Sequence, residues 1–161
     1  MNNYWKYTLF PTFLEDVKDC TYDNYEDDDL YELLNHLVIR SIKDFLFPKV
    51  SLDYAEDTSY DPLDNTQYGY YFTDPNIGEA EYKVILAFMK KYWVAAQITW
   101  DMNFKNPFFD KDIKGYSPAN MLNAMKSALE RFAADAEKAR FDYGRVNKDG
   151  KITWGTINAR K

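Results

Sequence analysis

The stretch 76–102, NIGEAEYKVILAFMKKYWVAAQITWDM, constrains this chain more than any other. Read at helical period, its polar positions fall on one narrow stripe: Lys83, Lys90 and Gln97 recur every seven residues, with Lys91 beside them. Almost everything else is apolar, including Val84, Ile85, Leu86, Phe88, Met89, Tyr92, Trp93, Val94, Ile98 and Trp100. A helix at a protein surface needs one apolar stripe; a helix apolar nearly all round has to be covered on several sides. Its lysines and modest length argue against a bilayer span. The expectation is a central helix enclosed by the rest of the chain, by other chains, or by both.

The chain is 161 residues long, enough for one domain with a sizeable core. A composition 46% hydrophobic separates it from disordered chains, and fourteen tyrosines suit a protein that touches many surfaces. A single cysteine, Cys20, excludes an internal disulfide and argues against a secreted disulfide scaffold. The only histidine, His36, stands among Leu34, Leu37 and Val38 and is expected to be packed rather than catalytic. No basic segment followed by an apolar run opens the sequence, so no signal peptide is expected and synthesis is placed in the cytoplasm. Gly-rich phosphate loops, nucleophile elbows and HExxH motifs are missing, and no carboxylate pair stands among apolar residues in a way that would split its pKa values. The chain therefore reads as a non-enzyme without a cofactor. A half-match to a calcium loop around Asn147, Asp149 and Gly150 puts Arg145 and Thr156 at the two anchoring positions, so no metal is expected there.

Charge is split along the chain. Residues 1–80 hold 17 acids and 5 bases, residues 81–161 hold 9 acids and 15 bases. An acidic solvated face would explain this, and so would a head-to-tail contact between copies that closes into a ring. No dense patch of Lys and Arg interleaved with aromatics suggests nucleic-acid gripping.

In chain order, residues 1–8 read as a short aromatic arm, and Thr12 with Glu15 as a capping box opening a short helix over 13–19. After an acidic turn, Asp27, Asp28 and Asp29 suit the positive end of a helix over 29–46. Leu30, Leu34, Leu37, Val38, Ile42 and Phe45 are its buried face, and Pro48 stops it. Residues 50–54 and 68–72 read as strands of a loose hairpin, with the acidic 55–67 between them as a loop or arm. Asn76 and Glu79 repeat the capping spacing before the central helix. The connector 103–116 carries Phe104, Phe108 and Phe109, tucked under the helices or docked on a partner. Ser117 and Pro118 start a last helix to about residue 143, where Gly144 ends it. Its seam, Leu122, Met125, Leu129, Phe132, Ala136, Ala139 and Tyr143, alternates spacings of three and four over roughly 37 Å. In the tail, Arg145-Val146 and 151–154 flank a hairpin turn at 147–150, and a two-stranded ribbon alone is marginal in water.

The fold expected is mainly α: a helical bundle of three principal helices, a short N-terminal helix, a β-hairpin-like arm and a C-terminal hairpin or extension. Residues 1–144 form the helical domain, with 50–74 as an insertion, and 145–161 a tail that docks on another subunit. The candidate interface residues are Ile152, Trp154, Ile157, Phe108, Phe109 and Arg145.

Several of these segments together resemble a known family. The short helix LEDVKD, the turn ending in Asp27-Asp28-Asp29 and the helix LYELLNHLVIRSIKDFL are similar to the opening of tailed-phage head–tail connector proteins. The pattern of Met89, Trp93 and Gln97 in the central helix and SPANMLNAMKSALERF at the last helix continue the likeness, over residues 10–145. It is nearest to the ring or adaptor proteins of crAss-like gut phages. The resemblance implies an α-helical virion protein of the neck, a homo-oligomer (a dodecameric ring) beneath the portal protein. Such a ring extends the channel through which the DNA passes, and meets the next neck or tail ring protein. The acidic 55–67 loop and the 103–116 connector depart from the family pattern. Another neck or tail-completion protein, or a cytoplasmic acidic helical binding or inhibitor module, are the competing readings.

Overall fold

In the computed structural model, residues 3–17, 26–62, 66–104 and 118–145 are described. They form β1 (Asn3–Tyr4), α1 (Trp5–Val17), α2 (Asp27–Asp44), β2 (Tyr54–Tyr60), β3 (Gln67–Phe72), α3 (Glu79–Phe104) and α4 (Pro118–Arg145). The architecture is mainly α, with a small antiparallel sheet of order β1-β3-β2.

α3 is the enclosed helix that its composition demands. Val84, Ile85, Phe88, Met89, Tyr92 and Trp93 are buried, against α1 and α2 on two sides and α4 on a third. Its polar stripe is tied down as well. Lys90 reaches Asp16 of α1 at 2.6 Å, Lys91 reaches Asp44 of α2 at 3.4 Å, and the Tyr92 hydroxyl donates to the same Asp44 carboxylate. The capping box stands two residues later than expected: the Gly78 amide donates to the Glu81 carboxylate at 3.0 Å, while Asp74 accepts from the Asn76 amide at 2.8 Å.

The N-terminal aromatic arm is a strand and a helix. Tyr4 pairs with Tyr71 in the sheet, and α1 begins at Trp5, eight residues before the expected start. Trp5, Leu9, Phe10 and Phe13 make one apolar stripe, all at most 3% exposed. That stripe outweighs the local capping signal: Thr12 lies inside the helix, its hydroxyl bonded back to the Thr8 carbonyl at 3.3 Å. Pro11 is accommodated at an exposed position. Trp5 stacks on Tyr70 at 5.2 Å and meets Phe72 at 5.3 Å, fixing α1 to the sheet.

The hairpin forms, with its second strand where it was expected and its first displaced along the chain. β2 covers 54–60 rather than 50–54, so the first six residues of the expected acidic loop are strand. Its register runs Tyr54 opposite Phe72 to Asp57 opposite Gly69, with an irregularity before Tyr60 opposite Gln67. β2 is an edge strand with no buried side chain, and its acids blunt that edge, so apolar alternation is missing although the strand exists. Gly69 supplies φ 74°, a conformation costly for any residue with a Cβ.

α2 spans 27–44, and its expected face is inward, with Leu34, Leu37, Val38 and Phe45 buried. It ends at Asp44, ahead of Pro48, where the Phe45 amide bonds back to the Ser41 and Ile42 carbonyls. His36 is not packed: its side chain is 72% exposed, 3.7 Å from Glu32 one turn away. Sequence neighbours of a helical residue point elsewhere, so Leu34, Leu37 and Val38 can be buried while His36 is not. α4 passes through Gly144 to Arg145, one residue beyond the expected stop.

Candidate assembly interface

The first feature is the half-buried flank of α4. Among the described residues this helix packs extensively on α3, and on no other helix to a comparable degree. The expected seam is real but unevenly buried. Ala136 and Tyr143 are inside, whereas Leu122, Met125, Leu129 and Phe132 are only half-buried. Among the described residues the contiguous core takes α3 as far as Val94 and α4 only from Ala136 on. Between α1 and α4 a groove of about 620 Å³ runs over α3, its apolar wall formed by Leu86, Ala87, Phe132 and Ala139.

At the opposite end α4 is locked. The Tyr143 hydroxyl donates to Glu81 at 2.6 Å and accepts from the Lys49 amide at 2.8 Å, while the Lys49 ammonium donates to the Tyr143 carbonyl at 2.6 Å. Phe45 meets the Tyr143 ring edge-on at 4.9 Å. Burial, then the bond to Glu81, push the Tyr143 phenol up to about 12. Next to this lock the chain turns outward: Leu46 is 52% and Phe47 89% exposed, and Phe47 stands at φ 63°, a strained value for a bulky side chain.

The third feature is a cleft of about 500 Å³ between α2 and the sheet. α2 contributes Asp28, Tyr31 and Glu32; β2 and β3 contribute Glu56, Tyr60 and Tyr70. Its floor is a satisfied polar cluster. Lys6 donates to Asp61 at 3.3 Å and to Thr66 at 2.5 Å, and its ammonium lies 5.9 Å from the Tyr31 ring centroid. Nearby, the Tyr4 hydroxyl donates to Asp57 at 2.6 Å. The hydrogen bond from the Ser59 side chain, then that from Tyr4, hold the Asp57 carboxyl below its ordinary range. Tyr70 is raised by burial and then by the Glu56 carboxylate. The cleft thus offers aromatic faces and carboxylates together, a lining suited to an ammonium or guanidinium group.

Of the residues singled out from the sequence, Arg145 is the last of α4, its guanidinium 5.0 Å from the ring centroid of Phe141, which is 62% exposed. Phe108, Phe109, Ile152, Trp154 and Ile157 lie outside the described residues, as do Ser117, Cys20 and the tail hairpin. Neither the cleft nor the Tyr143 lock was foreseen. The one available signal for the cleft was the run of tyrosines at 60, 68 and 70 around the turn between two strands. Among the described residues no group of three or more His, Cys, Asp or Glu could hold a metal ion, and no helix is long and apolar enough to cross a membrane.

Comparison with protein-family models, with curated proteins and with solved structures found no match.

Proposed function

We propose that this chain is a structural subunit of a phage neck, assembling into a dodecameric ring beneath the portal protein and carrying the DNA channel toward the next ring. The observation that carries this reading is the α4 flank, where four large apolar side chains in register, Leu122, Met125, Leu129 and Phe132, stay half-open. Such a stripe fits closure against a neighbouring copy. The sequence likeness to head–tail connectors and the opposite charge of the two halves of the chain give further support.

The test is quantitative mass spectrometry on purified particles of the phage that encodes the chain. Copy number equal to that of the portal protein is the expected result. Absence from mature particles overturns the reading. A ratio clearly different from the portal's moves the chain to another layer of the neck or tail.

A further inference from the structure

The cleft between α2 and the sheet has the chemistry to hold one particular kind of segment. Asp28, Glu32 and Glu56 are three exposed carboxylates around its mouth. Among the described residues no lysine or arginine pairs with any of them, and Glu32 has only His36. Lys6, the lysine in the lining, is already engaged by Asp61 and Thr66 on the floor. The walls include Tyr31, which stacks on Phe10, Tyr70, which stacks on Trp5, and Tyr60, whose 64% exposed ring is a flat surface on which the aliphatic stem of a lysine or the plane of an arginine can lie.

Residues 146–161 of the same sequence carry Lys148, Lys151, Arg160 and Lys161 against one acid, Asp149. We propose that the acidic, tyrosine-walled cleft is the receptor for the basic segment 146–161 of a neighbouring copy, its ammonium and guanidinium groups meeting Glu32, Glu56 and Asp28. This deepens the ring reading and rests on it for the neighbour that supplies the segment. It also gives the charge split a physical purpose: the acidic half of one subunit takes the basic end of the next. Sixteen residues reach at most about 55 Å when extended.

Two measurements on the full-length chain test it. In the first, a fluorescent peptide of residues 146–161 is titrated in low salt by anisotropy. Saturable binding is expected, weakened at least tenfold by Glu32→Gln/Glu56→Gln, a pair of exposed positions whose change leaves the circular dichroism spectrum intact. Equal binding of a scrambled peptide, or an unchanged affinity for the double variant, overturns the proposal. In the second, unlabelled and ¹⁵N-labelled chains are mixed as dilute monomers, concentrated, and treated with a carbodiimide that joins lysine amines to carboxylates. Linked peptides joining Lys148, Lys151 or Lys161 to Asp28, Glu32 or Glu56 are expected with one partner from each isotope. Links found only within one isotope mean that the tail folds onto its own cleft, and overturn the neighbour assignment. Absence of any such link, together with absent peptide binding, removes the cleft as the receptor. The two readings fail separately: absence from phage particles would sink the neck assignment while leaving peptide binding untouched, and absent binding would sink the cleft assignment while leaving the neck reading standing.

Discussion

Removing one oxygen atom from Tyr143 should cost this protein a substantial part of its stability. Tyr143→Phe keeps the ring against Phe45 and under the Lys49 ammonium, at 4.9 and 4.5 Å, so packing is preserved. What is lost is the hydroxyl's donation to Glu81 and its acceptance from the Lys49 amide. The two losses are unequal. Lys49 is exposed and its amide can turn to water, whereas Glu81 is 7% exposed and, among the described residues, retains the Gly78 amide alone as a donor. A hydrogen bond to a charged acceptor contributes about 1.5–3 kcal/mol net, and the bereft carboxylate is what sets the loss, so about 2 kcal/mol is expected. For a chain of this length that is a drop of about 4–8 °C in Tm. Urea titration at neutral pH measures it as a lower midpoint at unchanged slope. A double-mutant cycle with Glu81→Gln isolates the pair, and a coupling of about 1 kcal/mol or more is expected. A loss below about 0.5 kcal/mol together with coupling near zero would show that α4 is held by its apolar seam alone, and the reasoning would be wrong.

The same hydroxyl makes stability fall at high pH. The folded protein holds the phenol proton to about 12 against 10.0 for an ordinary tyrosine, so the contribution is whole below about 10 and is lost as pH rises from 10 to 12. Solvent screening at this edge reduces the roughly 2.7 kcal/mol of the full shift to about 1 kcal/mol, and wild type should lose that much more than Tyr143→Phe over the window in parallel urea titrations. Phe47→Gly should raise monomer stability by about 0.5–1 kcal/mol in thermal melts, because it relieves φ 63° at a side chain that is 89% exposed; a lower Tm would mean that the ring is packed. Asp61→Asn neutralises the carboxylate 3.3 Å from the Lys6 ammonium, whose side chain is 6% exposed, and should cost about 1–3 kcal/mol, whereas Lys6→Met/Asp61→Leu should recover much of that loss by urea titration.

What was legible in the sequence follows the strength of apolar periodicity. Phe88, Met89, Tyr92 and Trp93 repeat at helical spacing without interruption, and α3 is where they put it. The Leu34, Leu37, Val38 and Phe45 face of α2 is equally plain. α1 was hidden by Pro11 and by the Thr12–Glu15 spacing, two local start signals lying inside a helix already under way from Trp5. β2 gave no signal because an edge strand open to solvent has no inward face to write in apolar residues. The cleft and the lock were invisible for another reason. Tyr31 and Tyr70, or Glu81 and Tyr143, look like surface residues one at a time, and only tertiary contact between segments 39 and 62 residues apart gives them a role.

The lock and the open seam belong to one helix, and that combination has an energetic consequence. A flexible apolar segment must be ordered before it can bind, and each ordered residue costs free energy that subtracts from association. α4 has met that cost already: Ala136 and Tyr143 fix its second half on α3, and the hydroxyl, ammonium and amide bonds at Glu81 and Lys49 hold its end. Leu122, Met125, Leu129 and Phe132 are thereby presented on a helix that is rigid before any partner arrives. On the ring reading proposed above, loosening the lock should therefore weaken association between copies as well as stability, although Tyr143 lies some four to five turns of helix from the middle of the open seam. A Tyr143→Phe chain that assembles at wild-type concentrations despite its lower Tm would break that link, and would mean that the seam is organised by the partner rather than by the fold.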